Sequence, residues 1–183
     1  IDKRVADLSQ LQAITIGLSF LAGSWIFYEL LCRSPLAKNV YIIGGILVLA
    51  TVALAYSLTH LFSGRGAYIH MGAIIGTIMV GNVFRVIMPS QRALVAAIEK
   101  GEAPDPAWGA RAKLHSTHNT YLTLPLLFIM ISAHYPMTYA SPNNWVILLV
   151  IMGITAVARQ YFVLAHKKVN PPVILIGASF ATL

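Results

Sequence analysis

Charge is what this sequence has least of. Only 10% of its 183 residues are Asp, Glu, Lys or Arg, against 57% hydrophobic. A soluble domain carries about 25% charged residues, so the chain has too few polar side chains to cover a water-facing surface. Its polar backbone must then be satisfied internally, as helices or a closed barrel in lipid. Continuous apolar runs, without strict alternation, favour helices over barrel strands. Acidic residues are scarcer than basic ones, 6 against 13, which gives a net charge of +7. The basic residues sit in short stretches between apolar runs, the pattern of membrane orientation and not of a nucleic-acid-binding face. Cys32 is the single cysteine. It excludes an internal disulfide and a CxxCH haem-attachment site. The chain opens on Ile1 and closes on Leu183 within an apolar run, and we expect it to be one segment, 1–183, of a longer architecture.

What is present reads as an all-α, polytopic transmembrane helix bundle with about six membrane segments. The first runs from about Leu11 to Leu31, with Ser9 and Gln12 in a capping-box pattern. The second runs from about Val40 to Phe62. The third runs from about Ala67 to Met88 and is expected to end at Pro89. The fourth runs from about Ser116 to Ala133. Pro125 inside it leaves the Tyr121 carbonyl without its helical donor and predicts a kink. The fifth runs from about Asn143 to His166. A sixth starts at Asn170, Pro171 and Pro172, with only part of a span remaining. Between the third and fourth lies a long loop, residues 89–115. Its first half, "SQRALVAAIEKG", reads as a short amphipathic helix closed by Gly101, and its second half, "EAPDPAWGARAK", as a polar turn region.

Loop charge gives an orientation. One side would hold Lys3, Arg4 and Arg65. The other would hold Arg33, Lys38, Arg92, Lys100, Arg111, Lys113, Lys167 and Lys168. The more basic side is expected to face the cytoplasm, which puts the chain start and the end of the last segment on the periplasmic side of a bacterial inner membrane.

Ionisable residues inside a membrane are costly and mark candidate sites. Towards the inner face, His115, His118 and Asn119 share one face of the fourth segment by i, i+3 and i+4 spacing, and Glu29, Arg85, Arg159 and Gln160 lie at similar depth. Such a group suits a planar anion, because guanidinium offers a flat fork of donors. We assign His118, Asn119 and Arg159 as candidate catalytic residues, and Arg85, Gln160 and His115 as candidate substrate-binding residues. Towards the outer face, His60, His70 and His134 are candidate cofactor ligands: two neutral imidazoles from different helices could hold the iron of a haem b. Gly72, Gly76 and Gly81 would let a flat macrocycle approach the third segment. The competing readings are plain ones. Gly72 and Gly76 form a GxxxG pattern that serves helix packing, a histidine at a helix end can be an interfacial hydrogen-bonding group, and Arg85 can snorkel to the headgroups.

Several stretches resemble one family. "VADLSQLQAITIGL", "YELLCRSPL", "LFSGRGAYIHMGAIIGTIMVGNVFRVIMPSQR", "GEAPDPAWGARAK" and "HSTHNTYLTLPLLFIMISAHYPMTY" are similar to the bacterial membrane-bound urate hydroxylases, also described as cytochrome-c-linked urate oxidases. The runs Leu61–Arg92 and His115–Tyr139 carry most of the resemblance. It implies a membrane domain that oxidises urate to 5-hydroxyisourate, with further N-terminal helices and a C-terminal cytochrome c domain in the whole protein. Electrons would pass to that domain or to a separate cytochrome c, and any haem c would lie there. Membrane lipid is an implied partner and nucleic acid is not. Two alternatives are carried: an accessory or haem-carrying subunit of a respiratory or other redox membrane complex without turnover of its own, and, with no inverted repeat of broken helices to support it, a transporter.

Overall fold

The computed structural model describes residues 5–166. Among them there are helices and no strands. Helix α1 spans Gln10–Arg33. Ser9 caps it: its hydroxyl accepts from the Gln12 N–H, and Gln12 returns a bond to the Ser9 N–H. A 3-10 turn, Pro35–Lys38, leads to α2, Val40–Leu61, which is capped by Asn39. Helix α3 spans Gly64–Asn82 under a Ser63 cap, continues through a π turn at Val83–Ile87, and runs on as α4, Met88–Glu99. Helix α5 spans Pro106–Ser132, α6 is the single turn Pro136–Tyr139, and α7 spans Asn144–His166.

Four of these stretches are long and apolar enough to cross a membrane: Gln10–Arg33, Val40–Leu61, Gly64–Glu99 and Asn144–Ala165. The expected six segments are thus not all matched. Helix α5 has 27 residues, but Arg111, Lys113, His115 and His118 dilute its apolar content. The sixth segment, with Asn170, Pro171 and Pro172, lies outside the described residues, as do Lys3, Arg4, Lys167 and Lys168 of the charge count.

Two boundaries differ from expectation. Pro89 does not end the third segment. A proline inside a helix lacks an N–H and its ring collides with the carbonyl four residues back, here that of Arg85. The wide turn sits immediately before it, and the Met88 N–H reaches back to the Val83 carbonyl. The helix therefore absorbs Pro89 and continues for 36 residues in all, roughly 54 Å at 1.5 Å per residue. The continuous helix is thus longer than the roughly 30 Å thickness of a bilayer's hydrocarbon core. The second difference is the start of α5. The polar "DPAWGARAK" is helical, not a turn: Asp105 caps the Ala107 N–H and Pro106 occupies the first turn, where its missing N–H costs nothing.

Helix α3 is the centre of the bundle and packs against α1, α2 and α5, while α5 also packs against α7. Tyr68, Met71, Ile74 and Ile75 of α3 are buried together with Leu58 of α2, Ile129 of α5 and Leu148 of α7. The Tyr68 hydroxyl lies 3.0 and 2.8 Å from the carbonyls of Thr138 and Asn144, tying α3 to the α6–α7 corner. Many large apolar side chains point outward, among them Leu11, Tyr41, Leu49 and Phe84, a surface compatible with a membrane protein. Of Gly72, Gly76 and Gly81, two serve close packing. A Cβ at Gly72 would sit 2.9 Å from Ile129, and one at Gly81 2.5 Å from the Trp25 indole nitrogen; Gly76 faces open space.

Candidate functional site

The site begins with a buried polar chain between α1, α3 and α5. The carbonyl of Met79, on α3, accepts a hydrogen bond from Asn119 Nδ2 at 3.0 Å. Asn119 Oδ1 therefore faces Asn82, and Asn82 Nδ2 donates to it at 2.7 Å. The same amide group donates its second hydrogen to the Tyr28 hydroxyl at 3.0 Å. With both hydrogens used, Asn82 Oδ1 can only accept, and His115 Nδ1 lies 2.7 Å from it.

A backbone carbonyl cannot donate, so this chain has one direction. It fixes both amide orientations and puts the His115 proton on Nδ1. In the neutral ring His115 Nε2 is then the unprotonated lone pair. Tyr28, accepting from Asn82, keeps its own hydrogen free to donate to His118 Nδ1 at 2.8 Å. His118 is thereby the opposite tautomer, with its proton on Nε2. Asn82 is 2% exposed and His115 3%, and burial of this kind is tolerated because every polar group from the Met79 carbonyl to His115 Nδ1 is paired. Edge-on ring contacts of Tyr28 with His115 and His118, at 5.9 and 5.8 Å between centroids, pack the same cluster.

His115 forms part of the wall of a cleft of about 460 Å³ at the end of the bundle where α1, the π turn, α4 and α5 converge. Arg33, Arg85, Arg111, Glu29, Cys32 and Trp108 also line it. Arg33 is held by Glu29, at 2.6 Å between Nη2 and Oε1. Arg85 leaves the π turn over the Trp25 ring, 4.9 Å from its centroid, and Trp25 can approach because residue 81 is glycine. Guanidinium groups around a neutral histidine base and an indole suit a flat, anionic, hydrogen-bonding ring.

His118 and Tyr28 face the other way. With Tyr121 and Pro125 they line a second, largely apolar cavity of about 400 Å³ among α1, α2, α3, α5 and α7. Two histidines one helical turn apart thus serve different spaces.

The residues singled out from the sequence divide accordingly. His115 and Arg85 meet at the cleft, and Asn119 stands behind them in the polar chain. His118 belongs to the apolar cavity. Arg159 and Gln160, expected beside them, do not line the cleft. Gln160 Oε1 accepts from the Tyr121 hydroxyl, and Arg159 Nε is buried with no hydrogen-bond partner among the described residues. Tyr28, Asn82, Cys32, Trp108 and Arg111 were missed as site residues. The only signals were faint: Asn82 is the lone amide in the apolar run of α3, and Tyr28 and Cys32 share a helix face by i, i+4 spacing.

The outer histidines do not converge. His70 donates from or accepts at Nδ1 with the Gly66 carbonyl, 2.8 Å away, and a carbonyl requires it to donate. Its ring stacks on Phe62 at 4.3 Å, and Nε2 lies against α1, where a Cβ on Gly17 would be 2.6 Å away. The free nitrogen is thus covered by backbone, and the ring face by Phe62. His60 donates to the Tyr56 carbonyl at 2.7 Å and stacks on that ring, exposed. His134 is exposed beyond the end of α5. These residues do not fit a haem in this arrangement, and no step is derived through one. Among the described residues no group of three or more His, Cys, Asp or Glu could hold a metal ion.

The fold and site define an all-α helix bundle, apolar enough in four stretches to cross a membrane, with a cleft lined by three arginines and a histidine. The chain belongs to the urate oxidase N-terminal family, which matches residues 1–183. Neither curated proteins nor solved structures gave a match.

Proposed function

We propose that this chain is the membrane-embedded, urate-oxidising part of a membrane-bound urate hydroxylase, set in a bacterial inner membrane with its cleft open to the cytoplasm. The observation that carries the reading is the oriented His115 in a cleft shared with Arg33, Arg85 and Arg111. Family membership supports urate as the substrate, and the loop-charge bias supports the orientation.

Urate is a flat anion rich in carbonyls. Arg85 and Arg111 would hold its oxygens by charge-assisted bonds, with Trp108 beside the ring. His115 Nε2 would take a proton from the water that attacks C5, as a general base whose lone pair is fixed in advance. Oxidation to 5-hydroxyisourate releases two electrons, which would pass to a cytochrome c domain of the whole protein or to a separate cytochrome c.

Membranes carrying the full-length protein should reduce cytochrome c when urate is added. His115→Ala should lower kcat by roughly 10²- to 10⁴-fold, the usual contribution of a general base. Arg85→Ala and Arg111→Ala should act chiefly on KM. Urate-dependent reduction that is insensitive to all three substitutions would sink the assignment of this cleft.

A further inference from the structure

Helices α1 and α2 are consecutive, yet they make almost no direct helix–helix contact. The gap between them is a groove of about 500 Å³ with small residues on both sides, among them Ser19, Gly23, Ala50 and Ala53. Gly23 has nothing within 4 Å of where a Cβ would be. The groove shares Tyr28, Leu47, Thr51, Leu54 and Ile78 with the interior apolar cavity. The groove on the bundle's outer, apolar surface thus adjoins the cavity of the Tyr28–His118 pair, with only these five side chains between the two spaces.

The cavity's volume falls in the roughly 300–1,000 Å³ range of small-molecule sites. Its walls are almost wholly apolar, so water would lack the two to four polar partners it needs. Its polar pole is specific. Tyr28 has spent its hydrogen on His118 Nδ1, which leaves His118 Nε2–H as a donor. A ligand that fits is apolar, soluble in the bilayer, and bears an acceptor oxygen on its head.

We propose that this cavity binds a lipophilic quinone, admitted between α1 and α2, with a carbonyl hydrogen-bonded to His118. Its redox role rests on the urate reading; its binding does not. The balance is two-electron: urate, counted as the neutral acid, plus water plus quinone gives 5-hydroxyisourate plus quinol. A C5–O bond forms and an O–H bond of water and a ring N–H of urate are lost. The electron pair and two protons reduce the quinone carbonyls to hydroxyls. A quinone accepts the pair together and can release it singly, as a one-electron cytochrome requires.

The test uses full-length protein in lipid nanodiscs, a photoreactive azidoquinone as label and decylubiquinone as competitor. Labelling should fall in residues 19–28 and 47–57 and be suppressed by the competitor. Gly23→Leu fills the groove where no atom stands in the way, and should cut labelling at least tenfold while urate binding by equilibrium dialysis is unchanged. Ala50→Leu serves the same purpose if the first variant does not fold. His118→Leu should weaken competition by decylubiquinone about tenfold. Labelling elsewhere, labelling unaffected by both groove variants, or labelling not suppressed by the competitor, as an acyl chain in the cavity would give, overturns the proposal. Competed labelling at the predicted peptides in protein that shows no urate-driven cytochrome c reduction upholds the site and removes the urate reading. Urate-driven cytochrome c reduction without such labelling does the reverse.

Discussion

Replacing Asn82 by Leu tests the polar chain at its branch point. The two side chains are similar in size, and the site is 2% exposed, so packing changes little. Three hydrogen bonds go, to Tyr28, Asn119 and His115. At about 0.6 kcal/mol per interhelical bond in a membrane protein, the loss is about 2 kcal/mol. Orphaned groups set a higher bound: His115 Nδ1–H and Asn119 Oδ1 are left without partners, each costing about 1–3 kcal/mol when buried. The stability loss should therefore fall between about 2 and 6 kcal/mol, read from denaturation in detergent. The sharper consequence is chemical. Nothing then holds the His115 proton on Nδ1, and its ring can turn to satisfy Nδ1–H elsewhere. Nitrogen-15 spectra of histidine-labelled protein should show one ring, His115, pass from the Nδ1–H form to a mixture. Urate turnover should fall about tenfold or more, up to the roughly 10²- to 10⁴-fold that a general base supplies. Asn119→Leu should disturb the same ring, because it removes the anchor at Met79, and the double variant should cost less than the sum of the singles. A His115 signal unchanged in Asn82→Leu would refute the derivation of the tautomer.

Other outcomes follow from the packing. Gly17→Ala and Gly81→Ala force a methyl to 2.6 Å from His70 Nε2 and 2.5 Å from Trp25 Nε1; each should destabilise by about 1–3 kcal/mol, whereas Gly76→Ala, facing open space, should be neutral or stabilising in the same melts. His70→Ala should leave any visible absorption of the whole protein unaltered, since its free nitrogen is covered by α1; loss of b-type haem bands in that variant would overturn the packing described for it. Pro89→Ala restores an N–H to the Arg85 carbonyl and removes the need for the wide turn. Arg85 should then rotate away from the cleft and KM for urate rise about tenfold, the loss expected for one charge-assisted bond of about 1.5 kcal/mol.

Helices α1, α2 and α7 were legible because each is a long, uninterrupted apolar run, and their ends fall within one or two residues of expectation. Pro89 misled because a proline reads locally as a stop, while the π turn that accommodates it has no sequence signature. The start of α5 was hidden by its polarity, although Asp105 and Pro106 carry an N-terminal signal. For the site, spacing on one helix placed His115, His118 and Asn119 together. Depth along the bilayer normal also grouped Arg159 and Gln160 with them, because charge and helix position report depth and not direction around the bundle axis. Asn82 could not be found in this way: its partners lie 33, 37 and 54 residues away on other helices.

The Met79 carbonyl gives the site a property that water-soluble enzymes rarely need. A histidine base is commonly held in its tautomer by a carboxylate on its second nitrogen. Within a bilayer such a carboxylate carries a heavy desolvation cost. Here two neutral amides transmit the direction of one peptide bond of α3 to an imidazole on α5, with no formal charge along the way. The inability of one backbone carbonyl to donate thus selects, two side chains away, which nitrogen of His115 can act as a base.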